Sequence, residues 1–503
     1  MKISLSFIAI LLLPISLFGQ NKNDYIWQMG YNPNDPDGGF GGTSINFNDD
    51  SDSPETNYFD IPFDFLATTS CSDNEGNLVF YANGCQIANR NHEIMENGSN
   101  INAGDAYDTY CEGGYPSIQG VLSLQLPGSD SIYYLFHIKR NDENVTINGN
   151  LLKTIININA ENNNGIVLSK NELVLESEFT EELSAVKHGN GRDWWIILPE
   201  RLSNKIFVFL FSPLGIQFSH EQEIGISWEY AAQIGQATFS PDGTKFIRAN
   251  VKDNIHIYDF DRCTGFFDNP IHFDIPVDTF KTASVGCSVS PNSRFLYISA
   301  FVKIHQYDLN ALNIEASKVT VGEYDGYQSP FATTFFQGML APNGKIYMTC
   351  NNAVDVLHVV HNPNEKGTAC NFENHGLQMP TRHAFIIPNF PHFRLYDMPD
   401  SPCDTLGIDI PVSVEEAPIA AIEPLKIYPN PAQATVFIDF SAAFSGNLTV
   451  TDMTGKVVLQ KTALQESTQI SLSLEGLSNG LYQVTANNTL TGEISQQKVV
   501  VQK

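Results

Sequence analysis

SPDGTKFIRAN (residues 240–250) and NIHIYDFD (254–261) are two short strands behind a tight turn, and they decide the fold. Proline presets φ in such a turn, while aspartate and glycine accept its sharp reversal. In the second piece Ile255 and Ile257 alternate with polar or aromatic neighbours such as Tyr258. Alternation with a period of two is typical of a β-strand with two distinct faces. The stretch therefore predicts a β-hairpin.

The same turn recurs along the chain at a regular distance. Close matches are SPNS (290–293) and APNG (341–344), and looser ones lie at 73–77, 127–130 and 189–193. Successive turns are thus roughly 50 residues apart, and each is followed by several short strands. A repeat of that size is typical of a β-propeller, in which each repeat is one four-stranded blade.

The number of blades follows from counting these turns. Six turns mark six blades, and a seventh can be assembled from the two ends of the region. It would combine HAFIIPNF (383–390) and HFRLY (392–396) with an N-terminal strand near YIWQMGY (25–31). Such closure leaves no open sheet edge. The sequence predicts an all-β fold with a propeller over 21–397, seven blades being favoured and six or eight being the alternatives.

The charge of the chain restricts its partners. Its 503 residues contain 56 Asp and Glu against 28 Lys and Arg, a formal net charge of −28. A surface of this sign repels phosphate backbones, so we expect no nucleic-acid partner. The acidity suits a soluble protein in a salty exterior but specifies no ligand.

The first twenty residues predict the compartment. Lys2 precedes an apolar run over 3–18, and Gly19-Gln20 follow it. The run is too short for a mature membrane span and is typical of a secretory signal peptide. No later segment resembles a transmembrane helix, so none is expected. We expect a secreted or outer-membrane surface protein that is exported through the periplasm.

The composition changes after the propeller region. Residues 398–424 are rich in proline and acidic residues and are predicted to be a linker. Short strands then follow one another over residues 425–503, with a hairpin turn at 453–456. Strands with this spacing, over a segment of this length, predict a small C-terminal β-sandwich.

The C-terminal module contains four motifs in order: YPNP (428–431), TDMTGK (451–456), LSNGLY (477–482) and the terminal KVVVQK (498–503). With these motifs it resembles the type IX secretion (Por) C-terminal sorting domain of Bacteroidetes. The resemblance covers 425–503. It implies that an outer-membrane translocon of the type IX system recognises this segment, and that the segment is removed outside the cell.

The body contains further recognisable pieces: Ser72-Asp73 with GNLVFYANG (76–84), NRNH (89–92), LSAVKH (183–188) and IPNF (387–390). In these pieces it resembles a propeller-like repeat family of secreted Bacteroidetes proteins. The resemblance spans most of residues 25–395. It implies no catalytic residues.

Eight cysteines in an exported chain are candidates for disulfides. Their connectivity cannot be deduced from the sequence, but Cys71 and Cys85 flank one predicted strand and turn, so they are the preferred local pair. Cys287 and Cys350 each lie inside an apolar strand. They are either disulfide partners or buried thiols.

Catalytic and cofactor patterns are weak in this sequence. We expect no organic cofactor, and calcium is the one cation that an acidic loop could hold. Asp35 and Asp37 offer oxygen ligands in the loop 32–38, although the loop lacks the spacing of an EF-hand. The alternative is an ordinary solvated acidic loop.

The central channel offers a candidate ligand site. Gln236 and Gln337 each lie five residues before the proline of their turn, so they are expected at equal height around the axis. By analogy, four further residues are placed at the same mouth: Gln119, His188, Arg382 and His383. Such a ring would suit an anionic or carbohydrate ligand. The alternative is that the glutamines bond neighbouring blades.

Two adjacent aromatic residues, Trp194 and Trp195, are a second candidate feature. They could form a sugar-stacking platform. The alternative is one buried and one exposed ring on a strand.

Three classes of function are compatible with these features. The favoured one is a non-catalytic, adhesin-like propeller that binds a glycan or a surface protein. The alternatives are a secreted hydrolase or lyase acting at the channel mouth, and a structural part of the surface or gliding machinery. The fold alone does not choose among them.

Overall fold

The computed structural model describes residues 21–33, 35, 38–49, 51–228, 235–276, 284–406, 426–452, 456–488 and 494–503. The chain divides into two compact units between Val412 and Ser413. The expected signal peptide (1–20) lies outside the described residues, as does most of the expected linker.

The first unit is a β-propeller of seven antiparallel blades, as predicted. The strands of each blade follow one another along the chain. Blade 1 is β1 (Ile26–Tyr31), β2 (Gly41–Asn46) and β3 (Glu55–Phe59), and blade 2 is β4 (Thr69–Ser72), β5 (Leu78–Ala82) and β6 (Ile87–Asn89). Blade 3 is β7 (Val121–Gln125), β8 (Ile132–Arg140), β9 (Asn148–Asn157) and β10 (Ile166–Leu175); blade 4 is β11 (Ser184–Lys187), β12 (Trp194–Pro199), β13 (Lys205–Ser212) and β14 (Gly215–Glu223); blade 5 is β15 (Gly235–Phe239), β16 (Lys245–Asn250), β17 (Asn254–Phe260) and β18 (Phe267–Phe273). Blade 6 is β19 (Val285–Val289), β20 (Phe295–Ala300), β21 (Lys303–Asp308) and β22 (Val319–Glu323), and blade 7 is β23 (Phe335–Leu340), β24 (Ile346–Cys350), β25 (Ala353–Val360) and β26 (Phe372–Ala384). One short helix, α1 (Asp105–Tyr110), follows blade 2.

The alternation read from the sequence is what packs the blades together. In β17, Ile255 and Ile257 belong to a buried cluster shared with β19 and β20 of blade 6. Tyr258 and Phe260 point to the opposite face and join a cluster with β12 and β13 of blade 4. Each blade thus buries both of its faces against its two neighbours. This double burial explains why strands such as β20 are buried along their whole length.

The recurrent turns connect the first and second strands of blades 2 to 7, as their spacing predicts. Residues at equal positions in three of them adopt the same left-handed conformation, with φ of 72° at Gly243, 58° at Ser293 and 77° at Gly344. The turn at Ser240 is closed by a hydrogen bond of 2.8 Å from the Gly243 N–H to the Ser240 carbonyl. A positive φ favours glycine, which explains its recurrence in these turns.

Residues 385–396, here called the axial segment, lie beside β1 but form no strand. Arg394 makes a bidentate ion pair with Asp24, with distances of 2.6 and 2.8 Å. The ring of Phe390 lies 6.1 Å from that of Trp27. Pro388 and Pro391 lack the N–H that a ladder needs. The expected blade that combines 383–396 with the N-terminal strand is therefore wrong. β1 forms its blade with β2 and β3, His383 and Ala384 pair with β25 in blade 7, and residues 385–396 form no strand.

The disulfides differ from the sequence-based expectation. Cys85 pairs with Cys111 at the end of α1, and not with Cys71. Cys71 is a buried thiol within β4, where its Sγ lies 3.2 Å from the Ser123 hydroxyl of the neighbouring blade. Because its side chain points into the interface between blades 2 and 3, it cannot meet Cys85.

The second disulfide joins two distant parts of the chain. Cys263 pairs with Cys403, at a sequence separation of 140. Met398 donates its N–H to the Gly189 carbonyl at 2.8 Å. Residues 398–403, expected to begin the linker, are thus fastened to the propeller. Cys287 and Cys350 are buried free thiols, one of the two alternatives considered above.

The second unit consists of strands that share one apolar core. They are β27 (Lys426–Tyr428), β28 (Thr435–Asp452), β29 (Val457–Ser473), β30 (Gly480–Asn488) and β31 (Ile494–Val501). The first half of β28 pairs with β27 and β29, and its second half pairs with β29 and β30. Ile438 from the first half and Val450 from the second belong to the same buried cluster. Several of the short strands predicted over 425–503 are therefore parts of two long strands, β28 and β29.

Candidate ligand site at the turn-side mouth of the propeller

The axis of the propeller is occupied by its own chain. Asn389, in the middle of the axial segment, is 5% exposed. Its side-chain amide donates to the carbonyl oxygens of Val121 in blade 3 and Leu183 in blade 4, both at 2.9 Å. Its backbone N–H donates to the Thr68 carbonyl, next to blade 2, at 2.9 Å. One asparagine thus holds three blades together on the axis.

The three predicted glutamines surround this segment and are all buried. Gln119 exchanges two hydrogen bonds with the backbone of Ala237 in blade 5, at 2.8 and 2.9 Å. Gln236 donates to the Gly338 carbonyl at 2.7 Å and accepts from the Cys287 N–H at 3.0 Å. Gln337 accepts from the Ile387 N–H of the axial segment at 3.2 Å. Gln119 and Gln236 thus bond blade to blade, which is the alternative considered for the sequence, whereas Gln337 bonds the axial segment.

The other three predicted ring residues do not lie in this layer. Gln119 precedes the inner strand β7, whereas His188 follows the inner strand β11, so the two residues lie at opposite ends of their strands. The His188 ring packs 5.0 Å from that of Trp195. Arg382 and His383 belong to β26, the outermost strand of blade 7. Analogy of position failed here because β26 was taken for an inner strand.

Arg382 and His383 have local partners instead. The guanidinium of Arg382 lies 4.9 Å from the ring of Phe40. His383 is buried, and its Nε2 lies 3.2 Å from the Val356 carbonyl. Burial lowers the pKa of His383 to about 4, so the ring is neutral at physiological pH.

The predicted calcium loop shows local bonding. Asp35 accepts the N–H of Gly38 at 3.1 Å, as in an ordinary turn. Asp37 lies outside the described residues. Across the described part of the chain, His, Cys, Asp and Glu side chains form no group of three that could hold a metal ion.

Two buried ion pairs lie where the inner strands begin. Glu181 pairs with Arg140 at 2.9 Å, and Glu182 pairs with Arg248 at 2.6 Å. Burial raises the pKa of Glu181 to about 7, although the neighbouring Arg140 opposes this shift. The ring of Trp228 stacks on the guanidinium of Arg248 at 3.7 Å. These groups fasten blades 3, 4 and 5 to one another.

The opposite end of the axis, where the recurrent turns lie, is called the turn-side mouth. Two cavities open there on either side of the axial segment. One, of about 420 Å³, lies among the turns of blades 5, 6 and 7 beside His392 and Arg394. The other, of about 340 Å³, lies between the turns of blades 3 and 4 and is called the Lys187 cavity. Its lining includes Phe393 of the axial segment and Asn21 and Asn23 before β1.

Lys187 is the unusual residue of this second cavity. It ends β11, and the register of the sheet pairs it with Trp194. Its Nζ lies 3.8 Å from the centre of the Trp194 ring, a cation–π contact. The residue is only 8% exposed. Within the described ranges, no carboxylate forms an ion pair with its ammonium group.

Burial determines the electrostatics of Lys187. It lowers the pKa of the amine to about 7; Arg262 contributes in the same direction, and Asp193 opposes the shift. Asp193 is engaged elsewhere, because Arg192 holds it with bonds of 2.7 and 3.1 Å. An anion that binds beside this amine raises its pKa and thus favours the protonated form, which takes its proton from solvent.

The sequence interpretation missed Lys187 and chose its neighbour His188. The signal was nonetheless present. The turn at 189–193 fixes the hairpin register and so places Lys187 opposite Trp194. Both Trp194 and Trp195 are 4% exposed. The expectation of one buried and one exposed ring is therefore wrong, because β12 is covered on both faces.

The solved structures that resemble the chain share little sequence identity with it. A putative 6-phosphogluconolactonase from Bacteroides uniformis ATCC 8492 shares 12% identity at a TM-score of 0.42, over 72% of this chain and 98% of that one. PorZ of Porphyromonas gingivalis is described as an essential surface component of the type-IX secretion system. It shares 9% sequence identity with the chain at a TM-score of 0.32, over 92% of this chain and 63% of PorZ. A functionally unknown protein of Desulfotomaculum acetoxidans DSM 771 shares 14% sequence identity at a TM-score of 0.39, over 73% of this chain and 99% of that protein. Such scores carry no argument about activity. No curated protein matches the chain.

The second unit, by contrast, has a family. Residues 426–502 match the family of secretion system C-terminal sorting domains. This match agrees with the motifs at 428–431 and 477–482. In the described part of the chain, no helix has both the length and the apolar character of a membrane span. Residues 426–502 are thus a secretion system C-terminal sorting domain, and the chain is a seven-bladed propeller that the type IX system exports to the cell surface or beyond.

Proposed function

We propose that this exported propeller is a non-catalytic, adhesin-like protein that binds its ligand in the Lys187 cavity. The observation that carries the proposal is Lys187 itself, a buried cation that faces a cavity without a carboxylate partner among the described residues. Burying a charge is costly unless a partner compensates for it. A ligand that enters the cavity supplies that partner.

The construction of the propeller supports a binding role at this end. The axial segment fills the centre, and the layer of buried amides joins the blades on the axis. The two cavities of the turn-side mouth are therefore set in a rigid frame. Preorganised pockets of this kind bind ligands at a low cost in entropy.

Binding to a glycan array and to isolated cell envelopes tests the proposal. Asp130 lies exposed on the rim of the Lys187 cavity, so Asp130→Trp narrows the entrance without changing the core. Glu143 is an exposed acidic residue of the same blade that lies between β8 and β9, at the other end of β8 from the cavity, and Glu143→Trp is the matched control. We expect Asp130→Trp to abolish binding and Glu143→Trp to leave it intact. Equal binding by both variants would refute the site.

A further inference from the structure

The floor of the Lys187 cavity presents one positive charge that the protein leaves uncompensated. The Lys187 Nζ lies 3.8 Å from the centre of the Trp194 ring, and both residues line the cavity. Arg192 also lines the cavity, but Asp193 already neutralises it through two hydrogen bonds. The site can therefore balance a single negative charge on a ligand.

The rim of the cavity restricts that ligand further. Asp130 is exposed there and adds a negative charge at the entrance. A dianion such as a phosphate monoester would be repelled by this carboxylate and would find, among the described lining residues, one cation that no carboxylate neutralises. A carboxylate carries one negative charge and accepts hydrogen bonds from an ammonium group. The charges therefore favour a monoanion such as a carboxylate over a dianion.

The remaining lining is suited to a hydroxylated molecule. Asn21, Asn23, Gln125 and Ser129 place amide and hydroxyl groups on the lining, and Phe393 contributes an apolar wall. Three of these groups also bond within the protein: the Gln125 amide donates to the Ser129 carbonyl at 2.6 Å, the Asn23 amide donates to the Ser72 carbonyl at 2.7 Å, and the Ser129 hydroxyl accepts from the Ile132 N–H at 3.1 Å. Alternating polar groups and apolar patches match the hydroxyl edges and C–H faces of a sugar ring. A volume of about 340 Å³ is at the small end of ligand pockets and admits one such ring.

From this arrangement we infer that the Lys187 cavity binds the carboxylate of an acidic sugar residue, of the uronic acid class, with Lys187 as its counter-ion. The inference rests on the proposed function, because it names the ligand of that same cavity. It adds a requirement that the general proposal lacks, namely that neutral sugars bind poorly.

Protonation gives the inference a signature. The charged groups around Lys187 are Asp193 and Arg262, with Arg192 and Asp130 on the cavity lining. In the free protein the pKa of Lys187 is about 7, so the amine loses its proton above neutrality. A bound carboxylate holds that proton. Affinity should therefore be highest below pH 7 and fall about tenfold between pH 6 and pH 8.

The experiment is a calorimetric titration of the full chain with D-glucuronate and with D-glucose. We expect the wild type to bind glucuronate at least about tenfold more tightly than glucose, as a buried charge-assisted contact predicts. Lys187→Met keeps the length of the side chain and removes the charge, and it should abolish this preference. Lys205→Met is the matched control, because Lys205 also lies over an aromatic ring of blade 4, that of Phe207 at 5.7 Å.

A second variant protects the test against misfolding. Asp130→Asn lies on the exposed rim and should strengthen glucuronate binding about twofold by removing a like charge. A peptide with a free C-terminal carboxylate and its amide are titrated in parallel. Tighter, Lys187-dependent binding of the peptide acid would overturn the sugar assignment.

The outcomes separate the inference from the proposed function. If glucuronate and glucose bind equally, or if Lys187→Met binds glucuronate like the wild type, the inference is wrong. The proposed function survives that result as long as Asp130→Trp still abolishes binding to envelopes. If Asp130→Trp has no effect on any ligand, the proposed function fails as well.

Discussion

Asn389 at the propeller axis provides the sharpest test of how the blades are held together. Its side-chain amide donates two hydrogen bonds of 2.9 Å to the carbonyls of Val121 and Leu183. Its Oδ1 accepts a third, of 3.3 Å, from Gln119. Replacement by leucine preserves much of the volume and removes all three bonds.

The expected loss follows from these contacts. Each of the two short bonds contributes about 1 kcal/mol net, and each buried carbonyl left without its partner costs about 1 kcal/mol more. The third bond is longer and its donor keeps a second acceptor at Ala237. Asn389→Leu should therefore lower the free energy of unfolding by about 4 kcal/mol.

Guanidinium chloride unfolding followed by tryptophan fluorescence measures this change. The chain has four tryptophans, and Trp27, Trp194, Trp195 and Trp228 all belong to the propeller. Fluorescence thus reports on the propeller alone, whatever the state of the sorting domain. Asn159→Leu, on the exposed surface, should change stability by less than about 0.5 kcal/mol. A loss below about 1 kcal/mol for Asn389→Leu would refute the structural role assigned to the axial layer.

Three further predictions concern the turns, the disulfides and export. Gly243→Ala should cost more stability than Gly344→Ala, because both have a positive φ but only at Gly243 would the new methyl group lie within 3.0 Å of other side chains; equal losses in chemical denaturation would contradict this. Breaking the Cys263–Cys403 disulfide should lower the free energy of unfolding by about 5 kcal/mol in the same assay, because it closes a long loop and so restricts the unfolded chain strongly. Breaking the Cys85–Cys111 disulfide, with a sequence separation of 26, should cost roughly 1.5 kcal/mol less, and the reverse order would contradict this explanation. Deleting 425–503 should leave the propeller in the periplasm in cell fractionation, and normal surface delivery of the truncated chain would disprove the role of the sorting domain.

The blade count was predictable because turn chemistry is local. A residue with positive φ marks the turn between the first and second strands of blades 2 to 7, and a proline precedes it in the turns at 240–243, 290–293 and 341–344, so the turns could be counted from the sequence. The alternation in β17 was predictable for the same reason, because successive side chains of a strand point to opposite faces of the blade.

Features that depend on distant partners were not predictable. Cys85 meets Cys111 only because α1 folds back toward it, and nothing within the hairpin at 71–85 signals this. The contacts of the predicted glutamines depend on distant chain, as when Gln337 accepts a hydrogen bond from the Ile387 N–H of the axial segment. Lys187 became recognisable only once the cavity around it was known.

The axial segment also constrains the order in which the propeller folds. Asp24 and Arg394 are 370 residues apart in sequence, and their ion pair ties the chain before β1 to the axial segment. Until residues 385–396 have been synthesised, the inner strands lack the hydrogen bonds that Ile387 and Asn389 make with them. Contacts of such long sequence separation slow folding, because the entropy of closing the loop is lost before the contacts form. A ribosome-bound or partly translocated chain would therefore remain incomplete at its centre until nearly the whole propeller had emerged.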